Sequence, residues 1–515
     1  MALVKLTPRP ASAAMFGVRM GSAVFACVQS KRHWSGNKNR KFGRVAGCAV
    51  RAGNAAAVPR NALLVDSITA IVSPRQLSWL QASRLIEFYL LLRHNRNYRY
   101  TWMGQVVSEI GDMFNTIAVL SLTLHVTGSN AAVGGVMIAR TLAAIVSAPV
   151  AGVMLDRLDR RKVMLWSDIA RGVFAAGFLL TLHYPAQWLL YTLSASLSFA
   201  SPFFTAGRSA ILPKIARGEQ LKTANALTQT TAWLTVALGA MLGGISADLG
   251  FHWAFFGNTL SFAFSTFAIW QLKSPDGFRA ARAEVQEHAE HRANFWREFG
   301  DSLRYMRSTP LVLAIALSYV GWASGGGAAQ ILFTLLGERV FLGGPKIVGL
   351  IWGFAGIGLV IGGFVGHFFL KRLSYRHYLH TVWINYLIHG ISYSLFSIGN
   401  LWTAIVFITL SRVAIGSNNV LNRTILLTHV PDHFRGRVFT TVEGLLNATM
   451  LISLTLASFA TMHYPIRAVG VIAGLLSAST AIFWAWAVYT RRLPEPALQP
   501  AAAAEPAPEK PATPA

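Results

Sequence analysis

Charge is scarce in this chain: only 13% of its 515 residues are Asp, Glu, Lys or Arg, about half the share of an ordinary soluble domain. Acid is scarcest. Lys and Arg number 46 against 21 Asp and Glu, a formal net charge of +25, and residues 1–65 hold eleven Lys or Arg with no Asp or Glu. The chain has two cysteines, Cys27 and Cys48, both ahead of the first long apolar run. Neither a disulfide nor a thiolate metal site can therefore form in the main body. The histidines, among them His125, His183, His389 and His429, lack metal-ligand spacing, so no metal and no cofactor is expected. The absence of a Gly-x-x-x-x-Gly-Lys-[Ser/Thr] stretch excludes a phosphate-loop ATPase. No nucleophile or metal set converges at one depth, so an enzyme is not expected.

What the chain has is apolar length: 53% of its residues are hydrophobic. They gather in twelve runs near 101–125, 131–155, 163–182, 187–207, 223–247, 252–272, 310–336, 347–370, 378–398, 400–422, 438–461 and 466–490. At about 1.5 Å per residue, such runs suit a hydrocarbon layer about 30 Å thick. The fold class that follows is an all-α membrane protein with twelve transmembrane helices in two pseudo-symmetric six-helix bundles. Basic residues favour one side of the connections: the 156–162 loop, Lys214 and Arg217, the 273–309 loop, Lys371 to Arg376, Arg435 and Arg437, then Arg491 and Arg492. The other side holds Arg339, Lys346 and Arg467. Short basic loops stay cytoplasmic, which puts both termini in the cytoplasm of a cell (inner) membrane. Because cations alternate with spans instead of forming a patch, nucleic acid is not an expected partner.

Residues 1–95 read as a basic, largely disordered extension with an interfacial helix near 74–93. The first bundle covers 96–272, a polar cytoplasmic loop 273–309, the second bundle 310–491, and an Ala/Pro-rich tail 492–515. The acid-free leader has transit-peptide composition, so a plastid envelope is the alternative location; a lipid-binding arm or a misassigned start also fits it. The stretch around Pro213 is echoed near Pro431, and the 156–162 loop is echoed at 370–376. Both offsets are near 215 residues, the mark of a parallel duplication.

Between spans two and three the chain reads Gly152-x-x-x-Asp156-Arg157-x-x-Arg160-Arg161-Lys162. Span one holds Ser108-Glu109-Ile110-Gly111-Asp112, and Leu212-Pro213-Lys214, Gln220-Leu221 and Ala224-Asn225-Ala226-Leu227 precede or open span five. Together these residues resemble the major facilitator superfamily over about residues 93–491, in particular its drug, macrolide and siderophore exporter branch. Asp159 departs from the family pattern, which often has Gly there. The resemblance implies a secondary transporter in which Gly152, Asp156, Arg157, Arg160 and Arg161 form a gating loop. Asp156 would sit against the amino end of span eleven, and Arg160 and Arg161 would reach Asp168 in span three.

Charges inside hydrocarbon cost about 2.5–3.5 kcal/mol each on insertion scales, so each needs a partner or a wet cavity. Glu109 and Asp112 are three apart on one helical face. Arg140, sixteen residues before Asp156, reaches the depth of Asp112 and is the expected counter-charge. These three make a candidate proton-coupling site, with Arg412 in span ten a candidate for an anionic substrate group. Arg423 and Glu443 read as a structural pair. The expected function is proton-coupled efflux of amphipathic small molecules by a monomer in the lipid bilayer, through alternating access. The alternatives are an importer, an organelle-envelope carrier, or a transport-inactive scaffold or sensor. Glycines at 239, 243 and 244, at 325–327 and along 353–363 are expected to let helices approach closely.

Overall fold

The computed structural model describes residues 86–274, 277–281, 295–370 and 373–495. All of them fall in one compact unit, Arg75–Ala515. The leader up to residue 85, most of the central loop and the tail from 496 lie outside the described residues. Twelve long helices follow in order: α1 Arg96–Thr127, α2 Asn130–Arg157, α3 Arg160–Gly177, α4 Gln187–Ile215, α5 Glu219–Leu249 and α6 Phe251–Trp270. After a short amphipathic helix, Phe295–Ser308, come α7 Pro310–Val340, α8 Gly344–Leu370, α9 Tyr375–Ile398, α10 Leu401–His429, α11 Asp432–His463 and α12 Ile466–Tyr489. Among the described residues there is no strand. Nine of the twelve helices are long and apolar enough to cross a membrane. The other three, α4, α6 and α9, are of comparable length but richer in aromatic, hydroxyl or histidine side chains.

The sequence starts these helices where side chains can satisfy the first free amides. Asn95 accepts from Tyr98 N at 3.0 Å, Ser129 from Ala132 N at 3.4 Å, and Asn400 from Thr403 N at 3.0 Å. Asp159, the departure from the family loop, is the cap of α3 and accepts from Arg161 N and Lys162 N at 3.0 and 3.2 Å. Glycine ends α1 at Gly128, where φ is +62°, as a left-handed stop requires. Pro213, read as part of a connection, lies instead in the last turn of α4, whereas Pro431 precedes the first turn of α11. Residues 86–94 are helical. Phe88, Leu91 and Leu92 do not lie free at the interface: they pack with Tyr98, Leu212 and Leu227 on the ends of α1, α4 and α5.

In the first bundle α1 packs on α5 and α6, and α4 packs on α2 and α3. In the second, α8 packs on α10, α9 on α10 and α12, and α7 on α11 and α12. The bundles meet through α5 on α8 and α2 on α11. Exposed aromatics ring both ends: Tyr184, Trp188, Trp253, Trp402 and Tyr464 at one, Trp166, Trp270, Trp486 and Tyr489 at the other. Two such belts are the mark of a protein seated in a bilayer.

The two ends differ. Away from the 156–162 loop, a single apolar cluster joins both bundles: Val119 and Leu120 of α1, Val133 of α2, Ile331 and Leu335 of α7, Ile351 of α8 and Leu454 of α11. Toward the loop end each bundle has clusters of its own, built on Leu311, Tyr378 and Trp484 in the second and on Tyr98, Met164 and Phe204 in the first. The bundles are thus clamped at the end opposite the loop.

Small residues make the clamp tight. A β-carbon on Gly244 of α5 would lie 2.7 Å from Pro345 O and 2.8 Å from Gly349 Cα of α8, distances that only backbone separation can relieve. Gly244→Leu is expected to cost about 1–3 kcal/mol of stability by overpacking, read as a lower melting temperature of the purified protein. Gly363→Ala on α8 is the control, since nothing lies within 4 Å of its β-carbon. Equal melting of the two variants would contradict the clamp.

Candidate transport site

The ionisable groups of the first bundle converge from four helices. Glu109 of α1 accepts from Gln105 Nε2 and from Thr235 Oγ1 of α5, each at 2.8 Å, and pairs with Arg208 Nη1 of α4 at 3.5 Å. One turn on, Asp112 Oδ2 lies 3.7 Å from Arg171 Nη1 of α3. Arg171 is 2% exposed and pairs also with Asp168 Oδ1. Its guanidinium sits between the rings of Phe204 and Phe262, 4.7 and 4.5 Å from their centroids. Ser265 of α6 donates to the other Asp168 oxygen at 2.6 Å. Arg140 of α2 lies within electrostatic range of Asp112, as its depth implied.

Bonding capacity in this cluster is unevenly used. Glu109 is held by three neighbours, and Asp168 by two at zero exposure. Asp112 is different: its side chain is 24% exposed, yet Oδ1 is buried with no hydrogen-bond partner, and the same holds for Arg140 Nη1. An acid and a base with spare capacity thus lie within electrostatic range of each other, the acid beside Arg171. Such a pair can exchange partners without breaking a saturated network.

Of the contacts expected of the loop between α2 and α3, those from Arg160 and Arg161 to Asp168 are replaced by others. Asp168 is taken by Arg171 and Ser265, so Arg160 and Arg161 do not reach it. Arg160 Nη1 donates to Ala210 O of α4 at 3.0 Å. Arg161 donates to the last carbonyls of α6, Ile269 O at 3.2 Å and Trp270 O. Those carbonyls are the negative end of a helix, which attracts cations. Asp156 lies part-buried in the last full turn of α2 and Arg157 is exposed. A β-carbon on Gly152 would meet nothing within 4 Å.

In the second bundle Arg412 is buried and lies over the ring of Phe333 at 5.3 Å. It is on α10, whose neighbouring turns bind α9: His389 Nδ1 to Ser411 Oγ at 2.7 Å, Asn385 to Asn418 at 2.9 Å, and Tyr378 to Asn422 at 2.9 Å. Arg423 lies over Phe439 at 5.8 Å, and Arg423 and Glu443 are both within electrostatic range of Tyr319. This bundle is held mainly by neutral polar pairs, in contrast with the first.

Sequence reasoning missed Arg171, Arg208 and a latch at the closed end. Arg171 had a signal, its i, i+3 spacing from Asp168. Arg208 stood just past the expected end of span four and is enclosed because α4 runs on to Ile215. At the closed end His125 Nε2 lies 3.6 Å from Glu338 Oε2, Arg339 donates to Gly128 O, and Asn130 Nδ2 donates to Thr461 O at 2.9 Å. Glu338 and Arg339 lie in a π-helical turn, Leu336–Val340, a distortion frequent at functional sites.

Two six-helix bundles, clamped at one end around a charged interior, define a multi-pass membrane protein with the architecture of a secondary transporter. The chain belongs to the Major Facilitator Superfamily, whose family model matches residues 101–439. It is 25% identical over 359 residues, 68% of this chain and 84% of the relative, to BacE of Bacillus subtilis, named as a bacilysin exporter. It is 24% identical to the enterobactin exporter EntS of Salmonella choleraesuis (strain SC-B67) over 361 residues, 68% of this chain and 81% of that protein. A crystal structure of a bacterial homologue of the iron transporter ferroportin in an inward-facing state shares the fold, with a TM-score of 0.56, 16% identity, and coverage of 76% of this chain and 98% of that one. The chain is accordingly a transmembrane transporter of small molecules, in a family of transporters rather than enzymes.

Proposed function

We propose that this protein exports amphipathic small molecules in exchange for protons, by alternating access, as a monomer in a cell membrane with both termini in the cytoplasm. The observation that carries the proposal is the pair Asp112 and Arg140, each with a buried polar atom lacking a hydrogen-bond partner, set beside Arg171 in the first bundle. A proton on Asp112 would release Arg171 and Arg140 to take other partners, which links protonation to helix packing. Export is supported by the exporter names of BacE and EntS. The basic connections support this orientation, and one chain supplies both bundles. In this orientation the clamped end faces outward and the interior opens to the cytoplasm. Arg412 and the polar face of α10 would then meet the substrate from the second bundle.

The test is transport by purified protein in vesicles under an imposed pH gradient, against small peptide antibiotics, catecholate siderophores and lipophilic cations. A transported compound should move against its own gradient and dissipate the pH gradient as it does so. Movement at an unchanged rate after the pH gradient is collapsed would overturn proton coupling. No movement of any compound would overturn the substrate class.

A further inference from the structure

Two cavities lie apart from the charged cluster, on the outer side of α3. One, of about 810 Å³, runs between α2, α3 and α4, walled by Ala143, Met154, Ala170, Phe174, Phe199 and Phe203. The other, of about 630 Å³, runs between α3 and α6, along Leu165, Ile169, Ala263, Phe267 and Trp270. Lys162 and Trp166 of α3 line both, so the two grooves flank one helix and meet at its loop end.

This side of α3 is apolar and exposed. Trp166 is 70% exposed, and Ile169, Val173 and Leu180 continue the exposed stripe along the helix, while Asp168 and Arg171 point inward. At the mouth of the larger groove stand Lys162, Arg279 and Asp159. The two cations are exposed. The carboxylate is already engaged by three backbone amides, those of Arg161, Lys162 and Phe278, at 3.0, 3.2 and 3.3 Å. Among the described residues, the mouth therefore offers two cations against one spent anion, at the level where aromatic side chains mark the interface.

We infer that this flank seats one anionic glycerophospholipid, its phosphate between Lys162 and Arg279 and its two acyl chains in the grooves on either side of α3. Charge complementarity selects an anionic headgroup, and two apolar grooves joined at one cationic mouth match a headgroup bearing two chains. Lysine suits the role because its stem can lie along apolar surface while the ammonium stays at the headgroups.

The test uses the purified full chain in neutral detergent, titrated with phosphatidylglycerol or phosphatidylcholine and read by native mass spectrometry. Phosphatidylglycerol should bind in preference to phosphatidylcholine. Lys162→Gln and Arg279→Gln should each weaken it about fivefold and together about 25-fold, with phosphatidylcholine unchanged. Lys162→Arg should retain the preference, which separates charge from misfolding. Ala170→Leu, which fills the larger groove, should weaken both lipids alike. Equal binding of the two lipids by the unaltered protein, or undiminished phosphatidylglycerol binding by the double variant, would overturn the site.

Discussion

Arg171→Met is expected to destabilise the protein by about 3–5 kcal/mol, the cost of breaking a buried ion pair by removing one partner. The substitution keeps an unbranched apolar stem but strands Asp168, which has zero exposure and would retain only the hydroxyl of Ser265 at 2.6 Å. It also empties the space between Phe204 and Phe262 of its cation, where a desolvated contact contributes about 2 kcal/mol. Thermal unfolding in detergent, followed by size-exclusion chromatography, measures the effect. Asp168→Asn combined with Arg171→Met should recover part of the loss, because the stranded charge is then gone. A single-variant loss below about 1 kcal/mol would contradict the pairing, since that is the range of exposed ion pairs.

Asp112→Asn is expected to leave the fold intact and to reduce gradient-driven transport about 100-fold, near the upper range of coupling between two sites. The fold survives because Asp112 is partly exposed, and Arg171, at 3.7 Å from it, keeps its tighter partner Asp168. Coupling fails because the amide cannot gain and lose a proton. Glu109→Gln is the comparison. Its contacts with Gln105 and Thr235 can be remade by an amide, so transport should fall only a few-fold. Uphill transport by Asp112→Asn at the rate of the unaltered protein would remove this residue from the coupling step.

The twelve long helices were legible in the sequence because each is a mainly apolar run, broken by few charges and bounded by charge or turn residues. The places where reading failed have physical reasons. α4 was cut short at residue 207 because Pro213 reads as a breaker. A proline in the last turn interrupts little, and the extra turns enclose Arg208. Arg160 and Arg161 were matched to Asp168 through the family resemblance, but a helix end presents free carbonyls that no residue letter announces. Arg161 binds those of α6 and leaves Asp168 to Arg171. The acids Glu109 and Asp112 were found because charge in an apolar run is conspicuous. Their partners on α3, α4 and α5 depend on helix packing across 59 to 126 positions of chain, which one sequence does not encode locally.

Alternating access requires bundles that open at one end as they close at the other. In a protein with Cys27 and Cys48 replaced, spin labels at Ser129 and His463 report the clamped end of α2 and α11, and labels at Leu158 and Gly436 the loop end. Distances for both pairs, measured in vesicles with and without a transported compound on either side of an imposed pH step, form the most direct test. The expected result is opposite movement, the loop-end pair drawing together in the population where the other pair separates. Distances that stay fixed at both ends under every condition would contradict alternating access in this protein.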